Sequence, residues 1–526
     1  MFSLRQVKLI SECARFQQQA MFIASRCAMA TSAALDISDD DNIISEEMVV
    51  KKFEDIPGPR GLPFIGSLLD YTIGPYQLDK LHLAAIERFR EYGPIFKETI
   101  GENTFINIIE ASDVETLFRS SGKNPARPPM APLQYIRELR KRNIGLASLQ
   151  GEEWARVRKP VQQVMLKPKN VQSYIPIVDE VTTEFTESIK RLRREDGEVD
   201  NYQNEVYKWA LECVGTLALG TRLGCMERNI QSGSDTQKMI TATLGFFDTM
   251  RDLTFSMPLY KFGIYNKTWK QFEKHHETFY KIAEKHIKKA LDKLKRLSRE
   301  GRLEEESKEC SLLSYLLSKK SLSSEEIAMV PVDIMQGGVD TTSHTAIFIM
   351  YQLATNPDAQ EKLHQEVDSV LANSQEMTLE SLQNIPYLKA CVKETHRMMP
   401  TIDGTTRIPD KDIVLSGFHI PAKTVVRTHC IAGLMHEYFD EPHVFKPERW
   451  LRVSSEEIDH HLLLPYGGGT RMCIGRRFAE QELHILIAKL IKNFRIEWHH
   501  GPMQQLFRLA NAPDVPAQFK FVDREQ

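Results

Sequence analysis

The sequence lacks any overall bias of charge. Its 68 lysine and arginine residues stand against 71 aspartate and glutamate, a formal net charge of −3, and so it gives no global pull on nucleic acid. Long apolar runs are missing too: no stretch of about 18 uncharged apolar residues occurs, so a membrane-spanning helix is not expected. The eight cysteines (13, 27, 213, 225, 310, 391, 430 and 473) include no C-x-x-C pair and no short zinc-ligand spacing. That argues against a disulfide framework and against a structural zinc site. Internal repeats of about 20 to 50 residues and low-complexity tracts are absent as well, which excludes repeat architectures. What is present is an ordinary globular composition, 526 residues with 42% hydrophobic and 26% charged, enough chain to bury a large core.

Charge is uneven only at the start. Residues 1–35 carry Arg5, Lys8, Arg15 and Arg26 against the single acid Glu12, a local +3 that leaves −6 on the remainder. A basic, acid-poor, Ser/Ala-containing amphipathic segment reads as a mitochondrial transit peptide, because Arg15 and Arg26 interrupt the apolar run that a secretory signal needs. Residues 36–54, with Asp39, Asp40 and Asp41, read as an acidic linker. Pro57, Pro59 and Pro63 then deny helix and impose an extended path into one catalytic domain over 55–526. Apolar spacing predicts helices over 174–194, 203–220, 268–297, 323–355 and 474–494, with short strands at 104–109, 413–415 and 424–427. The expected class is mainly α with a small β part.

The segment Leu464–Glu480, LPYGGGTRMCIGRRFAE, is the most informative. Gly467, Gly468 and Gly469 permit positive φ and close backbone approach, and Cys473 falls just before a predicted helix. Helix dipole and free N–H groups there favour a thiolate, the form that ligates iron, whereas a lone cysteine is otherwise a small buried hydrophobe. The pattern Tyr466-x-x-Gly469-x-Arg471-x-Cys473-x-Gly475 resembles the haem-binding signature of the cytochrome P450 family, haem-thiolate monooxygenases, with Tyr466 where phenylalanine is usual. The resemblance implies the cytochrome P450 fold, haem b as cofactor and Cys473 as axial ligand to its iron.

Other elements of that family follow in order. Gly337-Gly338-Val339-Asp340-Thr341-Thr342 interrupts an apolar helix with poor helix formers and hydroxyls that compete for helix carbonyls. It resembles the oxygen-activation motif, which implies proton-delivery roles for Thr341 and Asp340; a kink near Pro331 is the plainer reading. Glu394 and Arg397 share a helix face at i, i+3. They match the family's E-x-x-R, and Pro447-Glu448-Arg449-Trp450 resembles its P-E-R-F, so Glu394, Arg397 and Arg449 are expected to be structural. Trp154 and Arg158 at i, i+4 resemble the W-x-x-x-R helix. With Arg407 and Arg471 they are expected to hold the two haem carboxylates, since guanidinium and indole N–H groups are suitable donors.

Lys389 and Lys393 lie one turn apart, pointing away from Glu394. This arrangement resembles the docking surface of mitochondrial members for an acidic 2Fe-2S ferredoxin, with Arg476 and Arg477 as further contacts; a solvated lysine face is the plainer alternative. The segment Phe255–Trp269 alternates aromatics with lysines, and packed core or a membrane-interface segment both remain open. The resemblance thus implies NADPH-derived electrons through ferredoxin reductase and ferredoxin, dioxygen, and a lipophilic, sterol- or steroid-like substrate. It also implies a peripheral position on the matrix side of the inner mitochondrial membrane. A xenobiotic-oxidising enzyme, a haem protein without turnover and a haem-thiolate isomerase are the rivals. Pocket walls are expected from 127–147, the middle of 323–355, Ile402–Thr406 and Ala510–Ala512.

Overall fold

A computed structural model of the chain describes residues 50–524, except 102, 229, 232, 301–310, 373–375, 453, 455 and 456. The expected transit segment, and the expected linker up to residue 49, lie outside the described residues. From Lys51 the chain is already tied to the fold, its N–H donating to the Gly417 carbonyl at 2.9 Å.

The helices that build the site are α1 (Gly151–Met165), α2 (Ile175–Leu192), α3 (Tyr202–Leu219), α4 (Asp235–Thr254), α5 (Lys267–Arg299), α6 (Ser324–Thr355), α7 (Pro386–Met398) and α8 (Arg476–Asn493). The predicted periodic segments match α2, α3, α5, α6 and α8 within a few residues. Ser323 starts α6 with a capping box: its hydroxyl accepts from the Glu326 N–H, and the Glu326 carboxylate accepts from the Ser323 N–H. The helix then runs through Pro331, Gly337 and Gly338 without a break. It is apolar around most of its girth, as a helix enclosed by other helices must be. Gly338 sits where a Cβ would come within 2.8 Å of Val214 on α3, so only glycine allows the two helices to approach this closely. Around α6 the main core joins Phe185 of α2, Trp209 of α3 and Phe348 to Ile485 and Leu486 of α8, all fully buried.

The β part is small, as expected. Strands β1 (Ile95–Ile100), β2 (Asn103–Ile108), β3 (Gly404–Arg407), β4 (Ile413–Leu415), β5 (Phe418–Ile420), β6 (Val426–His429), β7 (Phe494–Glu497), β8 (Gln505–Arg508), β9 (Ala510–Pro513) and β10 (Lys520–Asp523) form one four-stranded sheet and three antiparallel pairs, β4-β5, β8-β9 and β7-β10. In the larger sheet, ordered β1-β2-β6-β3, β2 pairs parallel to β6 with Ile106 opposite Val426, and β3 returns antiparallel. That pairing carries Gly404, Thr405 and Thr406, next to Arg407, to the wall of the cavity described next.

Candidate active site

A cavity of about 580 Å³ lies between α6 on one side and the loop 464–475 with the start of α8 on the other, within the range of small-molecule sites. Gly467 and Gly469 take φ of +67° and +68°, and a Cβ on Gly468 would meet the Phe118 ring at 2.8 Å. The three glycines thus let the loop turn tightly beneath Phe118. The loop closes with the Cys473 N–H donating to the Tyr466 carbonyl at 2.9 Å. Cys473 lines the cavity, its surface open to that space although protein encloses the whole region. Burial pushes the thiol up, while the N–H groups of Gly475 and Arg476 and the charge of Arg158 favour the thiolate.

Across the cavity stand Gly337 and Thr341 of α6. The Thr341 hydroxyl donates to the Gly337 carbonyl at 2.8 Å, and space is open where a Gly337 Cβ would sit. Asp340 does not join them. It is fully buried on the back of the helix, where the Tyr207 hydroxyl donates to it at 2.5 Å.

Three arginines, Arg127, Arg158 and Arg471, line one side, and Arg407 lies near enough to act on them by charge. Arg158 donates to the Met472 carbonyl at 2.6 Å, Arg407 to the Gly468 carbonyl at 2.8 Å, and Arg471 to the Gln150 side chain at 2.6 Å. Trp154 lies between them, with the Arg471 and Arg158 guanidiniums 4.6 and 5.4 Å from its ring centroid. The sequence reading missed the fourth, Arg127, which donates to the Ala147 carbonyl at 2.6 Å. Among the described residues no carboxylate pairs with Arg158, Arg407 or Arg471. Burial and mutual repulsion push Arg158 and Arg407 down to about 10 and Arg471 to about 9. The Nε atoms of Arg158 and Arg407 are buried without partners. Concentrated positive charge with unused donors fits a ligand bearing two carboxylates, as haem does.

Beneath the loop, Glu394 and Arg397 form a fully buried bidentate pair at 2.8 and 2.9 Å. The Arg449 Nε and the Trp450 indole donate to the same carboxylate at 3.1 and 2.8 Å, so the Trp that stands where the family has Phe adds a donor. The added hydroxyl of Tyr466 also finds a neighbour, His396 Nε2 at 3.4 Å. Glu482, also missed from sequence, lines the cavity, and burial pushes its carboxyl up to about 8.

The wall residues agree with expectation at Met130, Leu146, Ile334, Ile402 and Thr406. Ala510–Ala512 does not line the cavity. It lies in β9, which packs behind α6, where the Asn511 N–H donates to the Thr401 carbonyl at 2.7 Å.

A thiol at a helix start, a ring of guanidiniums for two carboxylates and a glycine-threonine turn opposite define a haem-thiolate oxygenase. The family model described as Cytochrome P450 matches residues 56–521, and the chain belongs to that family of monooxygenases. It is similar to cytochrome P450 10 of Lymnaea stagnalis, 34% identical over 90% of this chain and 87% of the relative. It also resembles probable cytochrome P450 301a1, mitochondrial, of Drosophila melanogaster (31% identical; 89% and 86% covered). A third relative is 1,25-dihydroxyvitamin D(3) 24-hydroxylase, mitochondrial, of Rattus norvegicus (31%; 84% and 83%). Family membership implies haem as the cofactor.

Proposed function

We propose that the chain oxidises a lipophilic, sterol- or steroid-like substrate at the matrix face of the inner mitochondrial membrane, drawing NADPH electrons through a ferredoxin reductase and a 2Fe-2S ferredoxin. The observation that carries the oxygenase chemistry is that Cys473 and Thr341 line the same cavity from opposite sides. Cys473 would ligate the iron, and Trp154, Arg158, Arg407 and Arg471 would hold the haem carboxylates, with Tyr466 packing below. Bound haem supplies dioxygen activation, promoted by electron donation from the thiolate. Thr341 lines the cavity with its O–H held by the Gly337 carbonyl, so its hydroxyl oxygen would accept and position a proton donor, such as a water, on that side. Thr341→Ala should therefore raise peroxide release per NADPH several-fold with a substrate that wild type couples well. Unchanged coupling would leave Thr341 a merely structural role.

Electron entry is read from the surface below the loop. Lys393, Arg476 and Arg477 are exposed there, and Lys389 is half-buried with its ammonium donating to the Gln383 carbonyl at 3.2 Å. Arg476 also pairs with Glu480 at 2.9 Å. Such a basic face on a net-acidic chain suits an acidic ferredoxin. Lys389→Glu with Lys393→Glu should slow first-electron transfer from a mitochondrial ferredoxin about tenfold or more at low salt, with the gap narrowing as salt screens the pair. Stopped-flow rates for both proteins across a salt series check this. Equal rates and salt slopes would move docking to Arg476 and Arg477.

Localisation rests on two supports. Two of the relatives carry a mitochondrial name. In Phe255–Trp269, Tyr260 and Trp269 are buried and stacked at 4.7 Å, while Met257, Phe262 and Ile264 are exposed, as are Phe64 and Ile73. Phe255 and Phe507 touch, joining both exposed regions to one apolar cluster. This apolar, lysine-flanked face suits peripheral membrane contact. No helix among the described residues is long and apolar enough to cross a membrane. Oxidation of xenobiotics is the alternative within the branch, and a spectral binding screen of steroids, sterols, fatty acids and drug-like compounds separates the two.

A further inference from the structure

One stretch of the cavity wall carries a charged pair that the haem-thiolate chemistry leaves unused. Asp333 of α6 lines the cavity one turn before Gly337. It stands about 12 Å of helix rise from Thr341, which lines the same cavity. Arg137 Nη2 donates to Asp333 Oδ1 at 2.7 Å, and the two side chains are 0% and 9% exposed. Arg137 comes from the short helix Ala131–Leu139, and its Nη1 donates to the Ile144 carbonyl at 2.8 Å. Asp333 Oδ2, by contrast, is buried, and no donor among the described residues reaches it.

Gly145, at φ +79°, covers the pair from the loop before α1. It comes so near that a Cβ would stand 2.1 Å from Arg137 Nη1 and 2.3 Å from Asp333 Oδ2. Its own N–H donates elsewhere, to Asn143 Oδ1 at 2.9 Å. Met130, Leu146, Ala147 and Ile334 line the cavity with Asp333, and none of their side chains carries a donor. A buried carboxylate oxygen left without a donor is unfavourable, so the missing donor has to come from within the cavity. Charge narrows its chemistry. Asp333 is paired with Arg137 and also acts by charge on Arg127, another lining residue. A ligand ammonium would meet these two guanidiniums, and a ligand carboxylate would meet Asp333. A neutral O–H donates without either penalty.

We propose that the cavity selects a lipophile that already bears a hydroxyl group, whose O–H donates to Asp333 Oδ2 while its apolar body extends toward Thr341 and Cys473. The inference rests on the oxygenase reading and adds the polar handle by which that site recognises its substrate. Asp333 is the residue that sets specificity. Arg137 is a positioning residue, since it does not line the cavity and acts by fixing the carboxylate. Two turns of α6 separate Asp333 from Thr341, so the oxidised carbon lies at the far end of the molecule from the hydroxyl.

The test measures binding to the haem-loaded full chain by its absorption shift and by calorimetry. The probes are dodecanol, cholesterol and a side-chain-hydroxylated cholesterol, the methyl ether of each, and dodecanoic acid. In wild type at least one alcohol should bind about tenfold or more tightly than its ether, the loss expected when a hydrogen bond to a charged acceptor goes. Asp333→Leu combined with Arg137→Gln removes both charges together, so neither is left buried alone, and that preference should fall to about twofold or less. Haem content and circular dichroism show whether the double variant is folded; where it is not, the wild-type comparison decides alone. The proposal is overturned if no alcohol binds better than its ether in wild type, or if the folded variant keeps the full preference. It is also overturned if dodecanoic acid binds about tenfold more tightly than dodecanol, which would assign this part of the wall to Arg127. A preference shown by dodecanol while no sterol binds keeps the hydroxyl handle and refutes the sterol-like class. Absence of oxygenated product refutes the oxygenase reading and leaves the binding result standing.

Discussion

Glu394→Ala is expected to leave little folded, haem-loaded protein. The substitution strips the shared carboxylate from Arg397 and Arg449, whose side chains have no exposure to solvent, and removes the acceptor of the Trp450 indole and of the Lys446 N–H. Arg397 keeps the carbonyls of Gly433, Pro442 and Val444, which accept its hydrogen bonds without balancing its charge. Breaking one partner out of a buried pair costs about 3–5 kcal/mol. Against a typical total of about 5–15 kcal/mol, that takes much of the stability of the region carrying the loop. Haem content of the purified chain and its thermal unfolding followed by circular dichroism measure the loss. Glu394→Gln, which keeps one acceptor oxygen but puts an NH2 donor in place of the other and carries no charge, should fall between. A Glu394→Ala protein with normal haem content and unfolding within about 1 kcal/mol of wild type would make the pair dispensable.

The second large effect is chemical. Cys473→Ser keeps the backbone bond from residue 473 to the Tyr466 carbonyl, and a serine fits the same space, so the loop and the fold should persist. The N–H groups of Gly475 and Arg476 that favour a thiolate cannot make an alkoxide of serine at neutral pH. The reduced carbon monoxide spectrum should therefore lose the red-shifted band of a thiolate-bound haem, and NADPH-driven oxidation should fall to background, while circular dichroism stays that of wild type. Persistence of the band in the folded variant would assign the ligand elsewhere.

Much of this was legible before any coordinates. Cys473, Arg471 and the glycines stand close together in sequence, where backbone conformation and helix start are local matters, and α6 was readable from its spacing. What escaped were groups brought in by tertiary packing. Arg127 sits in a loop without periodicity and matters only because Arg158, Arg407 and Arg471 gather around it. Asp340 shares a motif with Thr341, yet about 100° of helix rotation separates neighbours. Thr341 faces the cavity and Asp340 faces Tyr207, a residue on another helix with no sequence signal of its own. The expected wall at Ala510–Ala512 failed for the same reason, since β9 lies behind α6 and supports it from outside. The alternation in Phe255–Trp269 divides by burial, Tyr260 and Trp269 inward and Met257, Phe262 and Ile264 outward.

The central claim is that this cavity inserts one atom of dioxygen into a substrate. The most direct measurement supplies the haem-loaded chain with NADPH, ferredoxin reductase, a 2Fe-2S ferredoxin, ¹⁸O₂ and a compound found by the spectral binding screen, and weighs the product. The account predicts a single ¹⁸O atom per product molecule, none drawn from labelled water, and no product when ferredoxin is omitted. A product that forms without ferredoxin, or whose new oxygen comes from water, would contradict it.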